Sequence, residues 1–204
     1  MLIERLPNWL RRQLPQAIFR MAPEEGTKKV YLTFDDGPIP EVTPQLLDLL
    51  DLYEIKGTFF MVGDNVRKYP ELYREVLRRG HHVGNHTMHH IQGLKVSNDE
   101  YLRDVAEGAK YIESDLFRPP HGWLRQSQIN ALAKDYRIIM YDLVTRDYSK
   151  RLSAEDVFKN VKRYTRDGSI IVFHDSLKSE NKLFDALPKS IEWLKTEGYQ
   201  FGQL

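Results

Sequence analysis

Short apolar runs alternate along this chain with longer stretches of helical period. β-forming residues cluster at 30–34, 57–62, 81–86, 116–118, 137–143, 169–175 and 199–201. Each run is bounded by turn-forming or charged residues and has the length of a strand. Between them lie stripes of helical spacing. Leu46, Leu47, Leu49 and Leu50 mark 43–53, with Thr43 as N-cap and Pro44 at the first helical position. Val66, Leu72, Val76 and Leu77 predict one helix over 64–79, stopped by Gly80. Ser97 and Glu100 form a capping box that opens a helix through Leu102, Val105 and Ile112. A short helix is expected at 127–134. Ser153 and Asp156 cap another through Val157, Val161 and Tyr164, and a last one covers 184–196 with Pro188 in its early part.

Strands alternating with helices define an α/β class with a mostly parallel sheet and right-handed crossovers. The polar residues choose between an open sheet and a barrel. Asp35 and Asp36 follow the first strand, His86 and His90 the third, Arg118 the fourth and Asp147 the fifth, while His174 ends the sixth. All lie at C-terminal strand ends, where ligand sites of such folds gather. Six sequential strands in an open sheet would hold the outer ends about 24 Å apart. Closing the sheet lets them share one substrate, so a distorted (β/α) barrel of about seven parallel strands is expected.

Composition narrows the classes of function. The 204 residues suit a single domain, with 1–25 as an N-terminal helical extension in which Leu2, Ile3, Leu6, Leu10 and Leu14 recur at helical spacing. Lys plus Arg number 30 and Asp plus Glu 29, so no basic excess points to nucleic acid. Without cysteine there is no disulfide framework and no thiolate metal site. No apolar run approaches the roughly 20 residues of a membrane span. No signal-peptide core is visible, which reads as cytoplasmic; processing of a longer precursor and the oligomeric state are left open.

Candidate chemistry concentrates in four places. Asp35-Asp36-Gly37-Pro38 puts two carboxylates at a strand end, where they repel unless a cation sits beside them. Five of the seven histidines fall in ten residues: His81, His82, His86, His89 and His90. A helical turn after the strand would aim His86 and His90 to one side, and a carboxylate would complete a site with open positions, as a catalytic metal needs. The pair His86 and His89 stays open as an alternative, while His82 and His86 in extended chain would be more than about 10 Å apart. In Arg118-Pro119-Pro120-His121-Gly122 the first backbone donor after Arg118 is His121 N–H, on a stiff approach suited to an oxyanion. His174 ends a buried strand, and Asp147 or Asp142 could keep it protonated as an acid.

Together these residues resemble the polysaccharide deacetylase family, also called the NodB homology domain or carbohydrate esterase family 4, over about residues 30–175. Thr33-Phe34-Asp35-Asp36-Gly37 resembles the first motif of that family and His86-Thr87-x-x-His90 the second, His-Ser/Thr-x-x-His. The Arg118 cluster resembles the third, Arg-x-Pro-Tyr-Gly, and residues 141–148 with Asp147 the fourth, which normally closes in Asp-Trp. Val172-Phe173-His174 resembles the fifth, Leu-x-His. The resemblance implies a distorted (β/α) barrel and a divalent metal on Asp36, His86 and His90, zinc first, with cobalt, manganese and nickel as alternatives. It implies Asp35 as the base acting on the attacking water, oriented by Arg118, His121 N–H as oxyanion donor, and His174 as the acid tuned by Asp147. The implied activity is removal of N-acetyl groups from amino sugars of peptidoglycan or a chitin-like oligosaccharide, substrates often found in the cell envelope. The alternatives are another amide or an acetyl ester as substrate, and a catalytically silent glycan-binding module. Asp35 and His174 speak against the last, since metal binding needs neither. Four positions depart from the family pattern: His121 for tyrosine, Tyr148 for tryptophan, Val144 for an aspartate that Asp142 could replace from the same strand face, and Phe173 for the leucine expected to line the acetyl pocket.

Overall fold

The structure, a computed structural model, describes residues 4–204; Met1, Leu2 and Ile3, and with them the start of the N-terminal stripe, lie outside the described residues. Nine strands are present among the described residues: β1 (Ala17–Ile18), β2 (Lys28–Asp35), β3 (Thr58–Met61), β4 (His82–Asn85), β5 (Leu116–Phe117), β6 (Arg137–Ile139), β7 (Leu143–Val144), β8 (Ile170–His174) and β9 (Tyr199–Gly202). They pair in parallel in the order β1-β6-β5-β4-β3-β2-β8-β7, with β9 also on β2. All seven expected strands form. The 137–143 run divides into β6 and β7 because it changes partners: its first half pairs with β5 and its second with β8.

This switch curls the sheet into the expected distorted barrel. Two strands lie between β2 and β5, which would set those strands about 14 Å apart if the sheet were flat. Yet Arg118, just after β5, places Nη1 2.6 Å from Asp35 Oδ1 and 2.8 Å from Thr33 Oγ1 on β2. The N-terminal segment reinforces the seam. Met140 N–H donates to Ile18 O at 2.8 Å and Val144 N–H to Glu4 O at 2.8 Å. Within this segment the described helix is α1 (Asn8–Arg11), and the chain then enters β1.

Eight helices surround the sheet: α1, α2 (Thr43–Leu52), α3 (Gly63–Lys68), α4 (Pro70–Arg78), α5 (Asn98–Ala109), α6 (Gln126–Leu132), α7 (Ala154–Tyr164) and α8 (Glu180–Thr196), counted among the described residues. The single helix expected over 64–79 is two, because Pro70 has no amide hydrogen and starts a new helix after Tyr69. Thr43 lies just inside α2 rather than capping it; its hydroxyl accepts from Ile39 N–H at 2.7 Å and donates to Asp175 at 2.8 Å. No described helix is long and apolar enough to cross a membrane.

Strand alternation divides the interior. On β2, Val30, Leu32 and Phe34 face the helices in the main core, while Thr33 and Asp35 turn inward to Arg118. On β8, Ile171 and Phe173 face the helices, while Val172 and His174 face the cleft. Phe173 stacks on Phe34 at 6.3 Å between ring centroids. The expectation that Phe173 lines the acetyl pocket is therefore corrected: Val172, two positions before His174, occupies that face.

Asp142 is also relocated. It is fully buried, and its carboxylate meets Arg11 at 2.5 Å, Arg166 at 2.7 Å, Arg5 at 3.5 Å and Ser169 Oγ at 2.8 Å. It ties the N-terminal segment to the barrel and does not reach His174. Burial alone would raise its pKa, but the Arg166 and Arg11 hydrogen bonds hold it at about 2. The carboxylate thus stabilises the fold above its unfolded value near pH 4, and that contribution fades as pH falls toward 2. Asp142→Asn is expected to cost about 3 kcal/mol at neutral pH, measured by urea unfolding, because it removes the buried charge that three partly buried guanidinium groups share. A loss below about 0.5 kcal/mol, the size of an ordinary surface substitution, would show that water already solvates this cluster.

Candidate active site

The expected residues converge on one cleft of about 230 Å³ at the C-terminal ends of the strands. Asp35, Asp36, His86, His90, Arg118, His121 and His174 all line it, and Asp147 stands behind His174. Its floor adds Met140, Val144 and Val172.

Asp36, His86 and His90 each offer a ligand atom within 4.8 Å of the others. Asp36 Oδ1 lies 3.1 Å from His90 Nε2 and 3.8 Å from His86 Nε2. His86 is buried, and its Nδ1–H donates to the Arg118 carbonyl at 2.7 Å, leaving the Nε2 lone pair for the cleft. Burial pushes His86 down to about 4, which keeps the imidazole neutral at pH 7. For Asp36, burial opposes charge, but His90, His174 and His86 hold the carboxyl below the usual carboxylate range. Two neutralisable imidazoles and one carboxylate at this spacing fit a small divalent cation with open positions.

The route to this geometry differs from the expected helical turn. Thr87 and His90 adopt left-handed φ values of 65° and 55°, so the chain after β4 is irregular. Asn85 Oδ1 accepts from Thr87 N–H at 2.8 Å, and Asp104 receives Met88 and His89 N–H at 2.9 and 3.0 Å. The other histidines go elsewhere. His89 Nδ1 meets Asp104 at 2.6 Å, His82 Nδ1 meets Leu204 O at 2.6 Å, and His81 Nδ1 accepts from Gly57 N–H at 3.1 Å. Six non-glycine residues have positive φ among the described residues, and Asp36, Thr87, His90, His121 and Arg146 carry or adjoin the site. Such backbone persists only where its surroundings enforce it, and it gathers at functional sites.

Asp35 and His174 sit side by side, in register on adjacent β2 and β8. Each has its own partner. Arg118 is buried, stacks over the Phe60 ring at 3.9 Å and is fixed by Thr33 Oγ1 and the Met140 carbonyl besides Asp35. Asp147 receives His174 N–H at 2.7 Å and meets its Nδ1 at 2.8 Å, which selects Asp147 over Asp142 as the partner. Burial works against charge on His174, but Asp147 outweighs it and raises the imidazole to about 9. Tyr148 packs edge-on to the His174 ring at 4.7 Å, and His121 does the same to His90 at 4.8 Å. The sequence reading named Thr33 and Val172 only as motif residues without a role, and it did not single out Phe60. Thr33 and Val172 could have been found two positions before Asp35 and His174, on the same strand faces.

Comparison with known proteins gives this arrangement a family. The model of the polysaccharide deacetylase family matches residues 22–138. The chain is 33% identical over 201 residues to a peptidoglycan-N-acetylglucosamine deacetylase of Bacillus cereus, covering 94% of each. It superposes with a TM-score of 0.87 and 30% identity on the crystal structure of a peptidoglycan N-acetylglucosamine deacetylase in complex with an N-hydroxybenzamide, over 98% of this chain and 95% of that one. A carbohydrate esterase family 4 pseudoenzyme from Bacillus anthracis is similar at a TM-score of 0.79 and 26% identity, over 92% of this chain and 67% of that one. With most of its length matched and the five motif segments gathered at one cleft, the chain belongs to the polysaccharide deacetylase family.

Proposed function

We propose that this protein is a metal-dependent hydrolase that removes N-acetyl groups from amino sugars of a glycan. One observation carries the reading. Asp35 and His174 lie in register on adjacent strands, each held by its own buried partner, Arg118 and Asp147, beside an Asp–His–His cluster. Metal binding alone requires neither Asp35 nor His174, so their presence favours catalysis over a silent module.

Asp36, His86 and His90 would hold the divalent cation, zinc by its liking for imidazole and carboxylate donors. When bound, it supplies Lewis acidity that polarises the acetyl carbonyl and acidifies water. Arg118 occupies Asp35 Oδ1 and leaves the other oxygen to take the proton of the attacking water. The water oxygen bonds to the acetyl carbon, and His121 N–H takes up charge on the carbonyl oxygen. His174 gives its Nε2 proton to the sugar nitrogen as the C–N bond breaks, while Asp147 holds Nδ1 and stabilises the imidazolium. Acetate and a free amine result.

Acetate release from chitooligosaccharides, peptidoglycan fragments and small acetyl esters, each with and without a chelator, tests the proposal. Release from N-acetylated glycans, lost with chelator and restored by zinc, is expected. Release from esters alone would reassign the substrate, and release from none would leave the silent module.

A further inference from the structure

Lys178 is a cleft-lining ammonium without a protein partner among the described residues. It is exposed, borders the cleft beside Ser176 and makes no ion pair or side-chain hydrogen bond among the described residues. What sets Lys178 apart from the chain's other cations without an ion pair is its place on the cleft wall. The acids nearest Lys178 in sequence do not serve it. Asp175 is fully buried and takes the Thr43 hydroxyl at 2.8 Å, and Glu180 makes no ion pair among the described residues. Leu177, next to it, is 59% exposed, so the ammonium projects from a segment that offers it no acceptor.

The rest of the cleft leaves this charge uncompensated. Asp35 is balanced by Arg118 and Asp147 by His174. Asp36 is committed to the two imidazoles and the cation they would hold. A bound divalent ion would make the cleft net positive, with Lys178 as its outward contribution. Neutral sugar hydroxyls do not need an ammonium; a carboxylate does.

We propose that Lys178 is a specificity-determining residue that binds a carboxylate carried by the glycan, so that the preferred substrate is a carboxylate-bearing strand such as peptidoglycan rather than a neutral chitin-like chain. This rests on the deacetylase reading above and deepens it. The carboxylate could belong to the lactyl group of muramic acid or to the peptide attached there.

The test compares kcat/KM for a peptidoglycan fragment with that for the same fragment after its carboxylates are amidated. Peptide-free and peptide-bearing fragments form separate arms that locate the carboxylate. For the wild type a ratio of about three or more is expected, falling toward about one in Lys178→Met, holding in Lys178→Arg and dropping below about one in Lys178→Glu. Raising ionic strength from about 0.02 to 0.5 M should erode the wild-type ratio, a reading that depends on no variant. A wild-type ratio of about one, a ratio indifferent to salt, or a ratio unchanged in Lys178→Met would overturn the proposal. Acetate from the amidated fragment at a ratio of about one would sink this proposal alone. Acetate from neither form would sink the deacetylase reading with it.

Discussion

Asp35→Asn is expected to lower kcat by about a thousandfold while the protein keeps its metal. The amide oxygen can still accept from Arg118, so the buried guanidinium retains a hydrogen bond. What disappears is the oxygen able to take a proton from water. Asp36, His86 and His90 are untouched, so metal content by elemental analysis should match the wild type. Activity within about tenfold of wild type would assign the base elsewhere. Loss of metal together with activity would make Asp35 a ligand rather than a base.

Asp147→Asn should produce the second large loss, about a hundredfold in kcat at pH 8, with a displaced pH profile. In the wild type, Asp147 is the main influence holding the His174 proton, and it raises the imidazole to about 9 against the opposing effect of burial. An acid is competent while protonated, so activity should persist below this value and fall as pH rises through it. Without the carboxylate the alkaline limb should move down toward, or below, the ordinary histidine value near 6.5. The variant should therefore recover part of its deficit at pH 6, where the imidazole regains its proton. A uniform loss at every pH would limit Asp147 to holding the ring in place. An unshifted alkaline limb would deny His174 the role of acid.

Much of this architecture was legible in the sequence because it rests on position along strands. The turn after an apolar strand announced Asp35 and Asp36, and the order of the five segments announced a barrel whose strand ends share one cleft. The histidine cluster was legible as a set, though not as a geometry. His86 and His90 meet through left-handed backbone at Thr87 and His90, stabilised by Asn85 and by Asp104 from α5, and no local periodicity encodes those contacts. Face assignment failed for a different reason. A strand buried on both sides reads as one apolar run, so nothing in Ile170-Ile171-Val172-Phe173 separates cleft from core. Counting back by two from His174 would have placed Val172 in the cleft and Phe173 against Phe34. Asp142 was misplaced because its arginine partners come from α1 and from Arg166, segments whose meeting depends on the whole fold.

The central claim is that Asp36, His86 and His90 grip one divalent ion. Equilibrium dialysis against zinc, followed by elemental analysis, tests it most directly when wild type and His90→Ala are compared at neutral pH. One equivalent on the wild type is expected, with affinity weakened by about a hundredfold or more in the variant, since the alanine removes one of three protein ligands. Zinc held equally tightly by His90→Ala, or no stoichiometric zinc on the wild type, would contradict the account.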